Sequence, residues 1–331
     1  MELRRRLIVG AATAAAFVCW PRLALCDDRC WILGVLLTPG ATADRDAAAI
    51  MRAALERRGL VEGKHYVFAL RFSGGDAQYL QAAKELVSMG VDMIVTMGGS
   101  PSVKAALEAT KTIPIVMMSS ADPVGDGFIN SLAHPGGNVT GNCIFGVELA
   151  VKRLQLLVQA LASPSAVAYL ATNLGGFTKR DEQYDVALAQ AASSMSIRME
   201  FVKLRSFAEL ADAFAEIKQR NVDAVVLNNS AEFLGIRKLL AELALQHRLP
   251  AICDTRTFAE AGLMMSYGAD LAYVLDKTAD YIARIYRGAA PRDLPVELVL
   301  KFDLAVNTKT AAALGITFPK SLMLMANRVY A

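Results

Sequence analysis

Short, uninterrupted apolar runs alternate with helix-length amphipathic stretches, and this alternation constrains the fold more than any other feature of the chain. Cys30–Leu37 (CWILGVLL), Asp92–Met97 (DMIVTM), Ile113–Met118 (IPIVMM) and Asp223–Leu227 (DAVVL) are strand-length and carry almost no polar residue on either face. A strand apolar on both faces must be covered on both faces, which points to parallel sheets flanked by helices. Helical periodicity at Ala43–Arg58, Ala77–Met89 and Ser100–Thr110 supplies the covering layers, with Tyr66–Arg71 as a further strand.

The alternation breaks at Ser119–Gly146, a stretch rich in Gly, Pro, Asn and Asp, and then restarts. The second series reads helix Leu149–Leu161, strand Ser165–Ala171, helix Lys179–Ser194, strand Ile197–Leu204 and helix Phe207–Gln219. After Asp223–Leu227 come helix Leu234–His247 and strand Ala251–Cys253. The 331 residues exceed one ordinary domain. Two open α/β sheets in two lobes are therefore expected. Late segments at Leu263–Tyr267, Leu271–Arg287 and Leu298–Phe302 would return the chain between lobes, so that several crossings act as a hinge.

Residues 1–26 read as an export signal. Arg4–Arg6 form a positive start, Leu7–Trp20 is an uncharged apolar run, Pro21 breaks it, and Ala24-Leu25-Cys26 offers a cleavage site. The run is shorter than the roughly 20 residues of a membrane span. Cleavage after Cys26 is expected, with lipidation at Cys26 as the alternative; the arginines leave both the general and the twin-arginine export routes open. This segment carries four Arg and one Glu out of 35 basic and 32 acidic residues, so the remainder holds 31 of each and no net charge. No basic surface is left to suggest nucleic-acid binding.

Chemistry-bearing motifs are sparse. Cys30, Cys143 and Cys253 follow the leader without metal-site spacing; they read as small buried apolar residues, with one disulfide as the alternative. Only three His occur, and no GxSxG, HExxH or phosphate-loop pattern is present. The sequence gives no reason to expect a catalytic residue, a metal or a cofactor. A binding protein is the natural reading, and an α/β enzyme the weaker rival.

In open α/β sheets, ligands bind beyond the carboxyl ends of the strands. That rule selects Thr38 after Leu37, Gly98-Gly99-Ser100 after Met97, and Ser119, Ser120 and Asp122 after Met118. In the second series it selects Asn173, Asn228, Asn229 and Asp254. Two glycines allow close backbone approach, and Ser100 as helix cap with Pro101 in the first turn would leave amide hydrogens for an anion; a merely well-capped turn fits the same residues. Asp254 suits an ammonium group, or a salt bridge to Arg256. Asn228 and Asn229 suit ligand polar groups, or the cap of the next helix.

The stretch Ile113–Gly141, IPIVMMSSADPVGDGFINSLAHPGGNVTG, resembles the ABC-transporter substrate-binding proteins of the tryptophan/tyrosine type, with their IPIV, DPVG, SL, PGGN and TG elements. Arg57–Gly63, Ala261–Gly268 (AGLMMSYG) and Leu294–Pro319 resemble three further stretches of that family. His134 departs from the arginine common there, which weakens any charged contact in its loop.

The resemblance implies a type I periplasmic-binding fold: two lobes, each an open parallel sheet flanked by helices, joined by three hinge crossings. Lobe 1 would comprise 27–143 and 267–293, and lobe 2 would comprise 144–266 and 294–331. Tyr267 joins the site list at a crossing, where it would stack on a ligand or fill the hinge. The implied function is the periplasmic receptor of an ABC importer. A monomer would capture a small solute, an amino acid or another small carboxylate, by hinge closure and deliver it to permease subunits driven by a cytoplasmic ATPase. Membrane contact would come only through the permease or a lipid anchor. A sensory module using the same cleft is the alternative.

Overall fold

The computed structural model describes residues 29–37, 43–73, 76–161, 163–172, 177 and 179–331. The leader 1–26, Thr38 and Asn173 lie outside them.

The first series builds β1 (Trp31–Leu37), α1 (Ala43–Glu56), β2 (Tyr66–Phe72), α2 (Asp76–Ser88), β3 (Met93–Thr96), α3 (Gly99–Ala109), β4 (Ile115–Ser120) and β5 (Val139–Cys143). The second builds α4 (Gly146–Leu161), β6 (Ala166–Thr172), α5 (Lys179–Ser194), β7 (Arg198–Leu204), α6 (Leu210–Gln219), β8 (Ala224–Leu227), α7 (Ala231–Gly235), α8 (Arg237–Gln246), β9 (Ala251–Cys253), α9 (Arg256–Glu260) and β10 (Met265–Ala269). The chain ends with α10 (Leu271–Tyr286), β11 (Glu297–Leu298), β12 (Phe302–Asn307), α11 (Thr308–Ala313), α12 (Lys320–Met325) and β13 (Arg328–Tyr330).

Two sheets result. The first has the order β11-β5-β4-β3-β1-β2 and is parallel throughout. The second has the order β13-β12-β10-β9-β8-β6-β7, with β12 antiparallel to β10. Each sheet is covered on both faces, as its apolar strands require: separate buried clusters lie on its two sides, four in all among the described residues. The two-lobed α/β architecture read from the alternation is the one observed.

Three differences stand out. β5 lies inside the Gly/Pro-rich break, where no strand was expected. The run 298–302 divides into β11 in the first sheet and β12 in the second. β10, with Tyr267, pairs with β9 and β12, and Val296 and Val299 belong to the first lobe's core and first crossing.

The crossings are laced together. Ile144 N–H donates to Ser120 O (2.9 Å), Val299 N–H to Cys143 O (2.9 Å), and Asp270 N–H to Lys301 O (3.0 Å). The Asp270 carboxylate also pairs with Lys301 and caps α10 at Tyr273 N. Within lobe 1, the α1 and α10 layers are joined by a bidentate Arg58–Asp276 pair at 2.9 Å for each bond.

Candidate functional site

The first wall forms at the ends of β3 and β4. Gly98, not Ser100, occupies the cap position of α3, and Gly99 adopts a positive φ of 65°. Ser102 does the local work expected of Ser100: its hydroxyl accepts from Gly98 N (3.1 Å) and donates to Gly99 O (2.7 Å). A Cβ on Gly98 would lie 2.0 Å from the Tyr79 hydroxyl oxygen, so only glycine fits against that buried ring. Ser100 is thereby released from capping, and its Oγ lies 3.0 Å from Ser120 Oγ. Ser119 is half-buried beside them. Asp122 Oδ1 accepts from Gly125 N (2.8 Å), folding the next loop back on itself.

In the second lobe the selected residues sit on β8, β9 and β10 and the loops that follow them, while α5 approaches the first wall. Asn228 is buried, and its amide is engaged with Thr172: Oδ1 accepts from Thr172 N (3.2 Å) and Nδ2 donates to Thr172 O (3.0 Å). It clasps the ends of β6 and β8. Asn229 is exposed, and the cap of α7 is Ser230, which accepts from Phe233 N. Asp254 forms no ion pair with Arg256 among the described residues. Burial pushes its carboxyl above the usual range, while the nearby Arg153 guanidinium opposes that shift. The Cys253 thiol donates to Asp254 Oδ1 at 3.3 Å. Tyr267 packs against Phe302, ring centroids 5.8 Å apart, in the strand that leads to the second crossing.

Two arginines complete the picture. Arg153 is buried within α4; Nη1 donates to Tyr267 O (3.3 Å), and Nε has no partner. Arg180 reaches from α5 into the other lobe, where Nη1 donates to Ser100 Oγ (2.7 Å) and Nη2 pairs with Asp126. At the same seam, a cavity of about 320 Å³ is walled by Asp122 and Val124 on one side and Phe145, Glu148, Arg180 and Tyr184 on the other. That volume is at the lower end for small-molecule sites.

The family model described as "ABC transporter substrate binding protein" matches residues 42–330, nearly the whole chain. The chain belongs to the ABC transporter substrate-binding protein family. Proteins of this family bind solutes outside the cytoplasm and are not enzymes. A curated relative, the tyrosine-binding protein of Clostridioides difficile (strain R20291), is 24% identical over 267 residues, covering 79% of this chain and 74% of that one. Among solved structures, an ABC domain in complex with L-Trp from Streptococcus pneumonia superposes with a TM-score of 0.81 at 22% identity, covering 91% of this chain and 100% of that chain. The ligand-free, open structure of a substrate-binding protein with adhesive properties from Clostridium difficile gives 0.67 at 22% identity, covering 91% and 99%. These likenesses establish the shared two-lobed fold.

For this family member, sequence reasoning brought Ser100, Ser120 and Asp122 to one seam and Asp254 and Tyr267 to the facing lobe. It missed Arg153 and Arg180. Arg153 was detectable as a charge on the apolar stripe Ala150-Arg153-Leu154-Leu157 of α4. Arg180 was detectable as a cation in a first helical turn, where the helix dipole disfavours it. Cys30, Cys143 and Cys253 are free thiols, and no group of three or more His, Cys, Asp or Glu among the described residues is placed to hold a metal. No helix among the described residues is long and apolar enough to cross a membrane.

Proposed function

We propose that this protein is the periplasmic receptor of an ABC importer. It captures an amino acid, with an aromatic one the first choice, in the cleft between its lobes and presents the closed form to permease subunits coupled to a cytoplasmic ATPase. The observation that carries the reading is the Arg180 bridge. A side chain of lobe 2 ends on Ser100 and Asp126 of lobe 1, across a seam whose walls are strand ends and whose sides are three laced crossings. Such crossings permit rigid-body closure, and closure requires ligand contacts from both lobes. The L-Trp complex and the tyrosine-binding relative support the choice of ligand class. Asp254 in lobe 2 offers a carboxylate for the ammonium group, and the Ser100–Ser120 pair in lobe 1 offers hydroxyls.

Thermal-shift screening of the protein without its leader, unfolded, dialysed and refolded to strip bound solutes, tests this reading. An aromatic amino acid at about 100 times its Kd should stabilise the fold by about 2.7 kcal/mol, which is several degrees in melting temperature. A flat response to all amino acids and small carboxylates would count against it.

A further inference from the structure

We propose that Arg180 is the residue that recognises the acidic group of the bound solute; this rests on the solute-binding reading above. Arg180 stands second in α5, where the helix dipole repels a cation, so its position is not explained by its own helix. Its guanidinium instead crosses to lobe 1. One nitrogen donates to Ser100 Oγ at 2.7 Å, Ser100 Oγ lies 3.0 Å from the buried Ser120 Oγ, and the other terminal nitrogen is held by Asp126.

This arrangement underuses the guanidinium. Arginine presents donors in a rigid fork matched to a carboxylate, yet here one arm meets a neutral hydroxyl. Serine hydroxyls rotate freely between accepting and donating. A carboxylate entering between Arg180 and the two serines would turn both hydroxyls into donors and receive three hydrogen bonds, one from a full cation. Asp126 would keep its hold on the second arm and fix the fork, which makes it a positioning residue. Arg180 is mostly buried, at 28% side-chain exposure, so the charge is only partly screened by water. The adjoining cavity, with Phe145, Tyr184 and Val124 among its walls, leaves room for the body of a solute beside this anchor. Contact from Arg180 would also give the ligand its hold on lobe 2 while its acid rests on lobe 1, which is the requirement for ligand-driven closure.

The test is calorimetric binding of a panel of L-amino acids, L-tryptophan and L-tyrosine foremost, beside their carboxamides. The variants are Arg180→Gln and Arg180→Lys. The wild type should prefer the acid over the amide by about 10- to 150-fold, the range of a hydrogen bond to a charged group. Arg180→Gln should reduce that preference to within about threefold, and Arg180→Lys should keep part of it. Full preference retained in Arg180→Gln overturns the assignment and leaves the receptor reading intact. So does a wild type that binds acid and amide equally, a result that needs no variant to fold. Failure of the wild type to bind acid or amide overturns the amino-acid reading, and the assignment with it.

Discussion

Asp254→Asn should stabilise the unliganded protein and weaken ligand binding. Burial raises the Asp254 pKa in the folded state from its ordinary 3.8, against the opposing pull of Arg153. The folded form therefore holds this proton more tightly than the unfolded chain. By linkage, the group's contribution is most favourable below 3.8 and declines as pH rises through the folded-state value. Asparagine is close in shape to the protonated carboxyl, the form the fold prefers, and it removes this decline. The net raised pKa already includes the attraction of Arg153, so losing that attraction does not reverse the sign. At pH 7 the variant should melt above the wild type, and the gap should close as pH falls toward 4.

Affinity should move the other way, because the amide gives up a charge-assisted bond to the ligand ammonium. A loss of about 2–3 kcal/mol, or about 30- to 150-fold in Kd, is expected. Thermal unfolding against pH, paired with calorimetric binding, measures both effects. A variant that melts lower at pH 7 would refute the burial argument. A variant with unchanged Kd would remove Asp254 from the binding site.

Other outcomes follow from the same structure. Arg153→Met should cost about 1–3 kcal/mol in urea unfolding, since it leaves the Tyr267 carbonyl without its donor and removes the cation that offsets the burial of the Asp254 carboxyl; adding Asp254→Asn should recover part of that if the two groups are coupled as described. Asp276 is held down to about 2, chiefly by its hydrogen bonds from Arg58, so its contribution is present above 3.8 and is lost as pH falls through about 2. Because Asp276 is 39% exposed, Asp276→Asn should cost no more than about 1 kcal/mol at pH 7, and its difference from wild type should close between pH 4 and 2. Gly268→Ala would set a Cβ 2.3 Å from the Asp254 carbonyl oxygen, an atom fixed in the backbone. It should destabilise by about 1–3 kcal/mol and impair binding, whereas Gly137→Ala, with nothing within 4 Å, should do neither.

What was legible in the sequence follows from how each element is stabilised. β3 (MIVT) and β8 (AVVL) are buried along their whole length in a parallel sheet, so their function is written as an unbroken apolar run. β5 (VTGNC) is just as buried but polar, because its side chains are spent on specific partners. Thr140 donates to Leu294 O (2.8 Å), Asn142 to Thr278 Oγ1 (3.0 Å), and Gly141 lies close to the Met117 carbonyl. No periodicity announces such a strand. The division of the 298–302 run between β11 and β12 has a related reason: which sheet a short strand joins is decided by pairing with distant residues.

The site was legible as far as the strand-end rule reaches. The rule placed Ser100, Ser120, Asp122 and Asp254 at or just beyond strand ends, because it depends only on where strands stop. It placed Asn228 at the end of β8, where Thr172, 56 residues away, takes up its amide. It could not find Arg180 or Arg153, whose partners lie 80 and 114 residues away. The capping role expected of Ser100 passed to Gly98 and Ser102 because the chain enters α3 two residues earlier than the Ser-Pro pair suggests.

The central claim is that the cleft binds an amino acid. Isothermal titration of the stripped, refolded protein with L-tryptophan and L-tyrosine tests it most directly. One-to-one binding of at least one of them, with a negative heat-capacity change from apolar burial, is the predicted result. A folded protein that takes up neither of these, nor any other amino acid, would contradict the account.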